Sequence, residues 1–395
     1  MSEKPFPIPD DVSTVEPSDL YQRLDDGESF GVLDTRAPDD VDEWRIDGDS
    51  VAFANVPYYQ FLDDVPESAL DQLPDARPLY TVCAKGLSSK FVADRLTDAG
   101  VDDVVAVEDG MEGWETVLDS TELSADTDAT VVQFYRPSSG CLSYLVVDGD
   151  EAVVVDPLHA FAETYVEAAA TRGAELVAAA DTHVHADHIS GVRTLAREHG
   201  VTAVVPQAAD ARGIDYDHGY DTIDDGETIA VGTVSIEAVH TPGHTSGMTS
   251  YLVDDAVLLT GDGLFVESVA RPDLEDGDDG APDATRQLYD TLHERVLTLD
   301  DWTLVAPGHV SDGAEQAADG SYTDTLGDIA DAMPALERER ESFVEFVLSD
   351  MPPRPDNYED IIATNLGRRA LGDDAAQLER GPNNCAATTD AMTGQ

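Results

Sequence analysis

The chain has 395 residues, enough for two compact units, and its 42% hydrophobic residues supply an ample core and exclude a disordered polymer. Against 82 Asp and Glu stand only 22 Lys and Arg, a formal net charge of −60, which excludes nucleic acid and anionic membrane as partners. Self-repulsion of that size needs screening, and the Debye length falls to about 3 Å near 1 M salt. Acidity spread over both halves is therefore read as halophilic adaptation to a salt-loaded cytoplasm. No stretch has the apolar length to span a bilayer, and MSEKPFPIPDD lacks the apolar centre of a signal peptide, so a cytoplasmic protein is expected. Cys83, Cys141 and Cys385 are too few and too scattered for a disulfide framework.

Along the chain, FGVLDTR at 30–36 and LYTVCAKG at 79–86 read as strands, Ser89 to Ala99 as an amphipathic helix, and VVAVEDG at 104–110 as a further strand. That alternation predicts a small parallel α/β domain over residues 1–122. Cys83 ends a strand and is followed by Ala84, Lys85, Gly86, Leu87, Ser88 and Ser89 at a helix start. Backbone N–H groups in such a loop favour an anionic sulfur and lower a thiol pKa. Two of the three lysines, Lys85 and Lys90, lie within seven residues of this cysteine; Lys85 is read as attraction for an anionic sulfur donor and Lys90 as weaker support. The competing reading makes Cys83 a buried small residue at a strand end.

The polar run around 119–130 predicts a linker at 123–130. After it, SYLVVD and EAVVVDP flank an Asp-Gly turn, a strong hairpin signal. Further strands are expected at VTAVVPQ, TVSIEAVH, SYLVDDAVLLTGD and TLVAPGH, and the acidic segment at 273–285 as a solvated loop. Two sheets with outer helices fit residues 131–371 best, with 372–395 as a C-terminal tail. Cys141 reads as buried; Cys385 reads as part of a frayed tail, with a thiol near the active site as the other option.

The chemistry concentrates in THVHADH. His183 and His185 alternate at a strand end, and Asp187 and His188 follow, so four candidate ligands fall within six residues. Imidazole and carboxylate suit Zn, Fe or Mn. His244 in TPGHTSG, Asp262 in LLTGDG and His309 in APGHV each follow an apolar strand-like run, and five of the ten histidines fall in these motifs. His159, His199, His218, His240 and His293 lack such a context and are expected to be structural.

The set THVHADH, TPGHT, GD and PGH resembles the metallo-β-lactamase superfamily from about Val131 to Gly367, and within it the branch shared by glyoxalase II and the persulfide dioxygenases. The resemblance implies an αββα sandwich with the metal at one edge of the two sheets. A two-zinc hydrolase of that type would use His183, His185 and His244 for one ion, Asp187, His188 and His309 for the other, and Asp262 as a bridge. The persulfide dioxygenases instead hold one Fe(II) through the positions of His183, His244 and Asp262, a facial triad with open positions for a substrate sulfur and O₂. His185, Asp187, His188 and His309 would then orient the ligands. RPDL at 271–274, with Arg271 carried over as catalytic, LYDTLHERVLTL at 288–299 and MPPRPDNYEDIIATNLG resemble the dioxygenase branch. Val310 and Ser311 stand where some dioxygenases carry an aromatic residue.

Residues 14–118 resemble a single rhodanese domain, through LDTR at 33–36, WRIDG at 44–48, the Cys83 loop and VEDGMEGW at 107–114. Ser88 stands where that loop often has Arg. This argues against efficient thiosulfate turnover and leaves persulfide carriage by Cys83. The implied activity is a persulfide dioxygenase that oxidises a small-molecule persulfide with O₂ to sulfite, releases a low-molecular-weight thiol, and is coupled to rhodanese-type sulfur transfer at Cys83. The rival is a dinuclear zinc thioester hydrolase with an accessory sulfur-binding domain. Neither reading determines the oligomeric state, and a homo-oligomer is compatible with both.

Overall fold

The computed structural model describes residues 6–9, 11–310, 314–349, 351–355, 357–372, 375–379, 385–387 and 392. Ser311 lies outside them. The chain divides into two compact units, Met1–Leu118 with Arg136–Ser138, and Asp119–Tyr135 with Ser139–Gln395.

In the first unit, strands β1 (Thr14–Val15), β2 (Phe30–Asp34), β3 (Val51–Asn55), β4 (Leu79–Val82) and β5 (Val104–Val107) form one sheet in the order β1-β5-β4-β2-β3. Every pairing is parallel. A parallel sheet buries both faces, and β2 is buried at all five positions. Leu33 and Leu79 meet Phe91, Val92 and Leu96 of the helix Leu87–Asp98 in one core. The strand-helix alternation in the sequence thus becomes the expected α/β domain, with Cys83 at the carboxyl end of β4, where sheets of this kind place ligands.

The second unit has two sheets. β6 (Asp119–Glu122), β7 (Thr130–Tyr135), β8 (Leu142–Asp148), β9 (Glu151–Val155), β10 (Glu175–Ala180), β11 (Thr202–Pro206) and β12 (Asp221–Ile223) form a seven-stranded sheet. β13 (Thr228–Val231), β14 (Val234–His240), β15 (Thr249–Val253), β16 (Val257–Gly261), β17 (Leu304–Pro307) and β18 (Asp324–Thr325) form a six-stranded one. They pack face to face: Val131, Tyr144, Val153 and Val155 of the first share a core with Ile236, Tyr251, Val257 and Leu259 of the second. Helices Ala162–Thr171 and Val192–His199 cover the outer face of the first sheet, and Gly277–Thr291 and Arg340–Ser349 that of the second, through Leu288, Phe343 and Val347. This is the expected αββα sandwich. No helix among the described residues is long and apolar enough to cross a membrane.

Four local expectations are corrected. β6 pairs with β7, Asp119 opposite Tyr135 and Glu122 opposite Val132, so the boundary falls after Leu118 and 123–130 is the connection inside a hairpin. SYLVDDAVLLTGD is two strands, because Asp254 and Asp255 both take positive φ (50° and 56°), as tight hairpin turns require. The acidic segment at 273–285 is helical from Gly277. Asp278 and Asp279 sit in the first turn, where the helix dipole favours negative charge, and Ala281, Thr285, Leu288 and Thr291 form a buried stripe at helical spacing. Finally, the described part of 372–395 is packed: Ala375 joins Ile189 and Ile361, and Cys385 is fully buried.

Gly110 (φ +61°) lies against the Cys83 loop, where a Cβ would come 1.9 Å from the Cys83 carbonyl oxygen. That carbonyl accepts from Met111 N–H at 2.8 Å. Gly110→Ala is therefore expected to destabilise the first unit by more than about 1 kcal/mol, read as a lower midpoint in denaturant unfolding; an unchanged midpoint would contradict the close approach.

Candidate functional site

The metal-competent side chains follow the carboxyl ends of β10, β14, β16 and β17, so both sheets contribute to one edge of the sandwich. His183 Nε2 and His244 Nε2 each lie 3.7 Å from Asp262 Oδ2. All three side chains are buried, and none of these three atoms has a hydrogen-bond partner. Left so, each would cost about 1–3 kcal/mol; around a divalent cation the same atoms become ligands. The donor set fits such an ion, with two imidazoles and one carboxylate close enough to share it.

Protons are placed to present those lone pairs. The Thr182 hydroxyl donates to Asp156 Oδ2 at 2.9 Å, and its one proton is thereby committed. It must then accept from His183 Nδ1, 2.9 Å away, which leaves Nε2 unprotonated. His244 Nδ1 faces the Arg271 carbonyl oxygen at 2.9 Å, which can only accept, so Nε2 of His244 is also bare. Burial, then the neighbouring His185 and His244, hold the His183 imidazole well below its usual pKa, and burial lowers that of His244. Burial and the Asp187 carboxylate raise that of Asp262. Neutral imidazoles are the form that ligates a metal.

Of the other motif residues, His185 and His309 are engaged elsewhere, whereas Asp187 and His188 group with Cys141, and Asp187 also with Asp262. His185 Nε2 donates to Asp156 Oδ1 at 3.0 Å with Asp181 Oδ1 at 3.7 Å. Burial lowers its pKa, but the Asp156 and Asp181 carboxylates outweigh it and hold the imidazole well above its usual range. His309 has the Val310 carbonyl oxygen 2.8 Å from Nδ1 and the Ser139 carbonyl oxygen 2.8 Å from Nε2. Neither ring edge is presented to a metal. His188 Nδ1 pairs with Asp187 Oδ2 at 3.0 Å. The loop carrying these residues is held from behind by Asn365, whose Nδ2 donates to the carbonyls of His185 and His188 and whose Oδ1 accepts from Ser190 N–H.

Arg271 is fully buried and its guanidinium is engaged by Asp273 and by the Pro352 and Pro353 carbonyls. Its backbone carbonyl accepts from His244 Nδ1 at 2.9 Å. Histidines outside the motifs are structural: His159 meets Thr194, His240 the Ser246 carbonyl, His293 the Tyr289 and Leu336 carbonyls, His199 Glu163, and His218 stacks on Tyr216.

Sequence reasoning missed the placement of Cys141 and gave that of Cys385 only as its second option. Cys141 Sγ lies 3.4 Å from Asp187 Oδ2, grouped with Asp187 and His188. Cys385 is grouped with Asp187 and Asp262. Neither has a local motif that announces it. Asp156 could have been found, because it is an acidic residue directly after the apolar strand EAVVV, the same placement that marks Asp262 after VLLTG.

In the first unit Cys83 is buried, with Sγ 3.4 Å from Ser89 Oγ. Gly86 (φ 69°) turns the chain into the helix that starts at Leu87, so Ala84 to Ser89 form the loop and first helical turn beside the thiol. Lys85 is exposed and pairs with Glu112 at 2.7 Å; Lys90 pairs with Glu108 at 2.7 Å. Both ammonium groups are thus engaged by carboxylates of the neighbouring 108–112 segment. Ser88 is half-buried at the loop edge.

Thr182→Val removes the group that sets the His183 tautomer. Metal affinity should fall about 10–100-fold, measured by equilibrium dialysis of the metal-loaded chain; equal affinity would contradict the proton ordering described above.

A metallo-beta-lactamase superfamily model matches residues 137–309 and a rhodanese-like domain model residues 16–116. The mitochondrial persulfide dioxygenase ETHE1 of Bos taurus is 28% identical over 240 residues, covering 59% of this chain and 86% of that protein. A probable metallo-hydrolase of Bacillus subtilis, YqgX, is 31% identical over 189 residues, 42% of this chain and 83% of its own. The crystal structure of ETHE1 from Myxococcus xanthus is similar with a TM-score of 0.51 at 27% identity, over 60% of this chain and 98% of that one. With the sandwich, the ligand edge and the Cys83 loop in place, the chain belongs to the metallo-beta-lactamase superfamily, is homologous to the ETHE1 persulfide dioxygenases, and carries a rhodanese-like domain in its N-terminal part.

Proposed function

We propose that this enzyme is a persulfide dioxygenase: it oxidises the sulfane sulfur of a low-molecular-weight thiol persulfide to sulfite with O₂, using one Fe(II) per chain. The carrying observation is the convergence of His183, His244 and Asp262 through three buried, unbonded donor atoms, while His185 and His309 are engaged by carboxylates and carbonyls. That asymmetry supports one ion on a facial triad over the symmetric two-ion set of a hydrolase. Similarity to ETHE1 over 86% of that protein supports the same chemistry.

Bound there, Fe(II) would supply redox activation of O₂ with open positions for the substrate sulfur. The chain's own residues do the rest. Thr182 and the Arg271 carbonyl hold the two imidazoles in their ligating tautomers, and the Asp156 and Asp181 carboxylates engage Nε2 of His185. Overall, the S–S bond is broken, the terminal sulfur is oxidised to sulfite by one O₂ with one water, and the carrier thiol leaves with a proton. Cys83 is proposed to carry sulfane sulfur as an enzyme persulfide in the rhodanese-like domain, with Gly86 and the first helical turn shaping its loop.

The alternative, a dinuclear zinc thioester hydrolase, is favoured by the likeness to proteins described as probable metallo-hydrolases. Its second ion would have to bind at Cys141, Asp187 and His188, with His309 turned away.

Purification without added metal, metal analysis and O₂ uptake with freshly made persulfide separate the two. About one iron with one O₂ consumed per persulfide is expected; two zincs with thioester cleavage would overturn the proposal. His244→Ala should lose iron and O₂ uptake together. Cys83→Ser should spare O₂ uptake with preformed persulfide and abolish sulfur transfer to an added thiol, and loss of O₂ uptake in that variant would contradict separate roles.

A further inference from the structure

The Cys83 loop carries a charge arrangement that persulfide carriage alone does not use. Its two cations are each matched by a carboxylate of the segment 108–112: Lys85 Nζ lies 2.7 Å from Glu112 Oε1, and Lys90 Nζ lies 2.7 Å from Glu108 Oε1. Asp109 stands between the two carboxylates in sequence, and Ser88 adds no charge. Loop and segment together are therefore net negative beside the thiol.

Backbone bonds hold the acidic segment against the loop. Met111 N–H donates to the Cys83 carbonyl at 2.8 Å, and Glu112 N–H donates to the Ala84 carbonyl at 3.0 Å. The approach is close from both sides: a Cβ on Gly86 would lie 2.7 Å from the Asp109 nitrogen, and one on Gly110 would lie 2.7 Å from the Gly86 nitrogen. The Lys85 side chain is 66% exposed, and an exposed ion pair of this kind contributes little to stability. Glu112 is different, because its main chain is anchored: its charge stays near the thiol whether or not the lysine remains paired. Leu87, the first residue of the helix that follows, is exposed and gives the loop an apolar face as well.

We propose that Glu112, with Glu108, selects the sulfur donor of Cys83: the loop takes sulfane sulfur from an organic persulfide, whose reacting end carries at most one negative charge, and disfavours a compact inorganic dianion such as thiosulfate. The inference rests on the sulfur-carrying role of Cys83. In the step itself the Cys83 thiolate attacks the terminal sulfur of R–S–S–H. The new S–S bond makes Cys83–S–S–H, and the old one breaks with its electron pair going to the leaving thiolate R–S⁻, so no outside oxidant or reductant takes part. Backbone N–H groups at the helix start favour one anionic sulfur. A second charge on the donor meets Glu112 where an unpaired cation would be needed, and like charges at that range repel.

The test is the rate at which the full-length chain gains one sulfur at Cys83, followed by intact-protein mass spectrometry at fixed ionic strength, with freshly made cysteine persulfide and with thiosulfate. Cys83→Ser sets the background. The wild type is expected to react faster with the persulfide. Glu112→Gln should raise the ratio of thiosulfate rate to persulfide rate about 3- to 10-fold, and Glu108→Gln should move it in the same direction. Asp98→Asn removes the same charge from an exposed position at the far end of the helix Leu87–Asp98 and should leave the ratio unchanged. A wild type that prefers thiosulfate, or an unchanged ratio in a folded Glu112→Gln chain, overturns the selection. An equal rise in Asp98→Asn assigns the effect to the charge of the whole chain and overturns it too. Each of these leaves Cys83 as the sulfur carrier; no mass gain above the Cys83→Ser background with either donor overturns that role, and the selection with it.

Discussion

The metal edge depends on a single commitment of a proton. Asp156 accepts from the Thr182 N–H at 2.7 Å and from the Thr182 hydroxyl at 2.9 Å, and so turns a hydroxyl that could donate or accept into one that only accepts. The His183 tautomer follows from that, and with it the availability of one ligand lone pair. The same carboxylate accepts from Nε2 of His185, two residues further on, whose ring lies beside that of His183 with 4.2 Å between centroids. A buried carboxylate with three donors is well compensated, so the cost of burying its charge is met within the structure, whether or not an ion is bound.

The sandwich makes this possible by joining its sheets near the site through polar groups as well as apolar ones. Tyr251 of β15 donates to the Asp181 carbonyl at the end of β10, and Tyr144 of β8 donates to the Pro307 carbonyl at the end of β17. Each hydroxyl crosses from one sheet to the strand end of the other that carries a motif residue. Gly261 takes φ +49°, and a Cβ there would lie 2.5 Å from both Thr182 Oγ1 and Met248 Cε, so only glycine lets Asp262 approach the histidines. The TGD motif thus has a steric cause and a chemical one.

The Cys83 loop solves a different problem with similar means. A thiol at the end of a parallel strand, followed by a left-handed glycine and a helix start, lies where backbone N–H groups gather without needing a cation. The Gly110 segment braces it, with Met111 and Glu112 N–H groups bonded to the Cys83 and Ala84 carbonyls. The two lysines are held by Glu108 and Glu112 instead, so in this acidic chain their positive charge is largely balanced locally.

Much of this was legible in the residues themselves. The parallel α/β pattern, the Asp-Gly hairpin and the motifs containing His183, His244 and Asp262 each depend on local spacing, and spacing is a property of the chain. The boundary near residue 119 was not legible, because a polar run reads as linker until pairing with Thr130–Tyr135 is seen. Nor was the acidic helix from Gly277, whose stability comes from a buried stripe packed on the second sheet. Which of the clustered histidines present a lone pair, and which are spoken for, depends on Asp156, Arg271 and Ser139, brought in from three separate segments. Cys385 is the extreme case: nothing in GPNNCAATTD points to a metal centre, and backbone pairing of its segment with Val269, Ala270 and Arg271 carries its thiol to Asp262. The sequence by itself determined which ligands exist; the tertiary structure decided their proton states and their company, because both are set by groups distant along the chain.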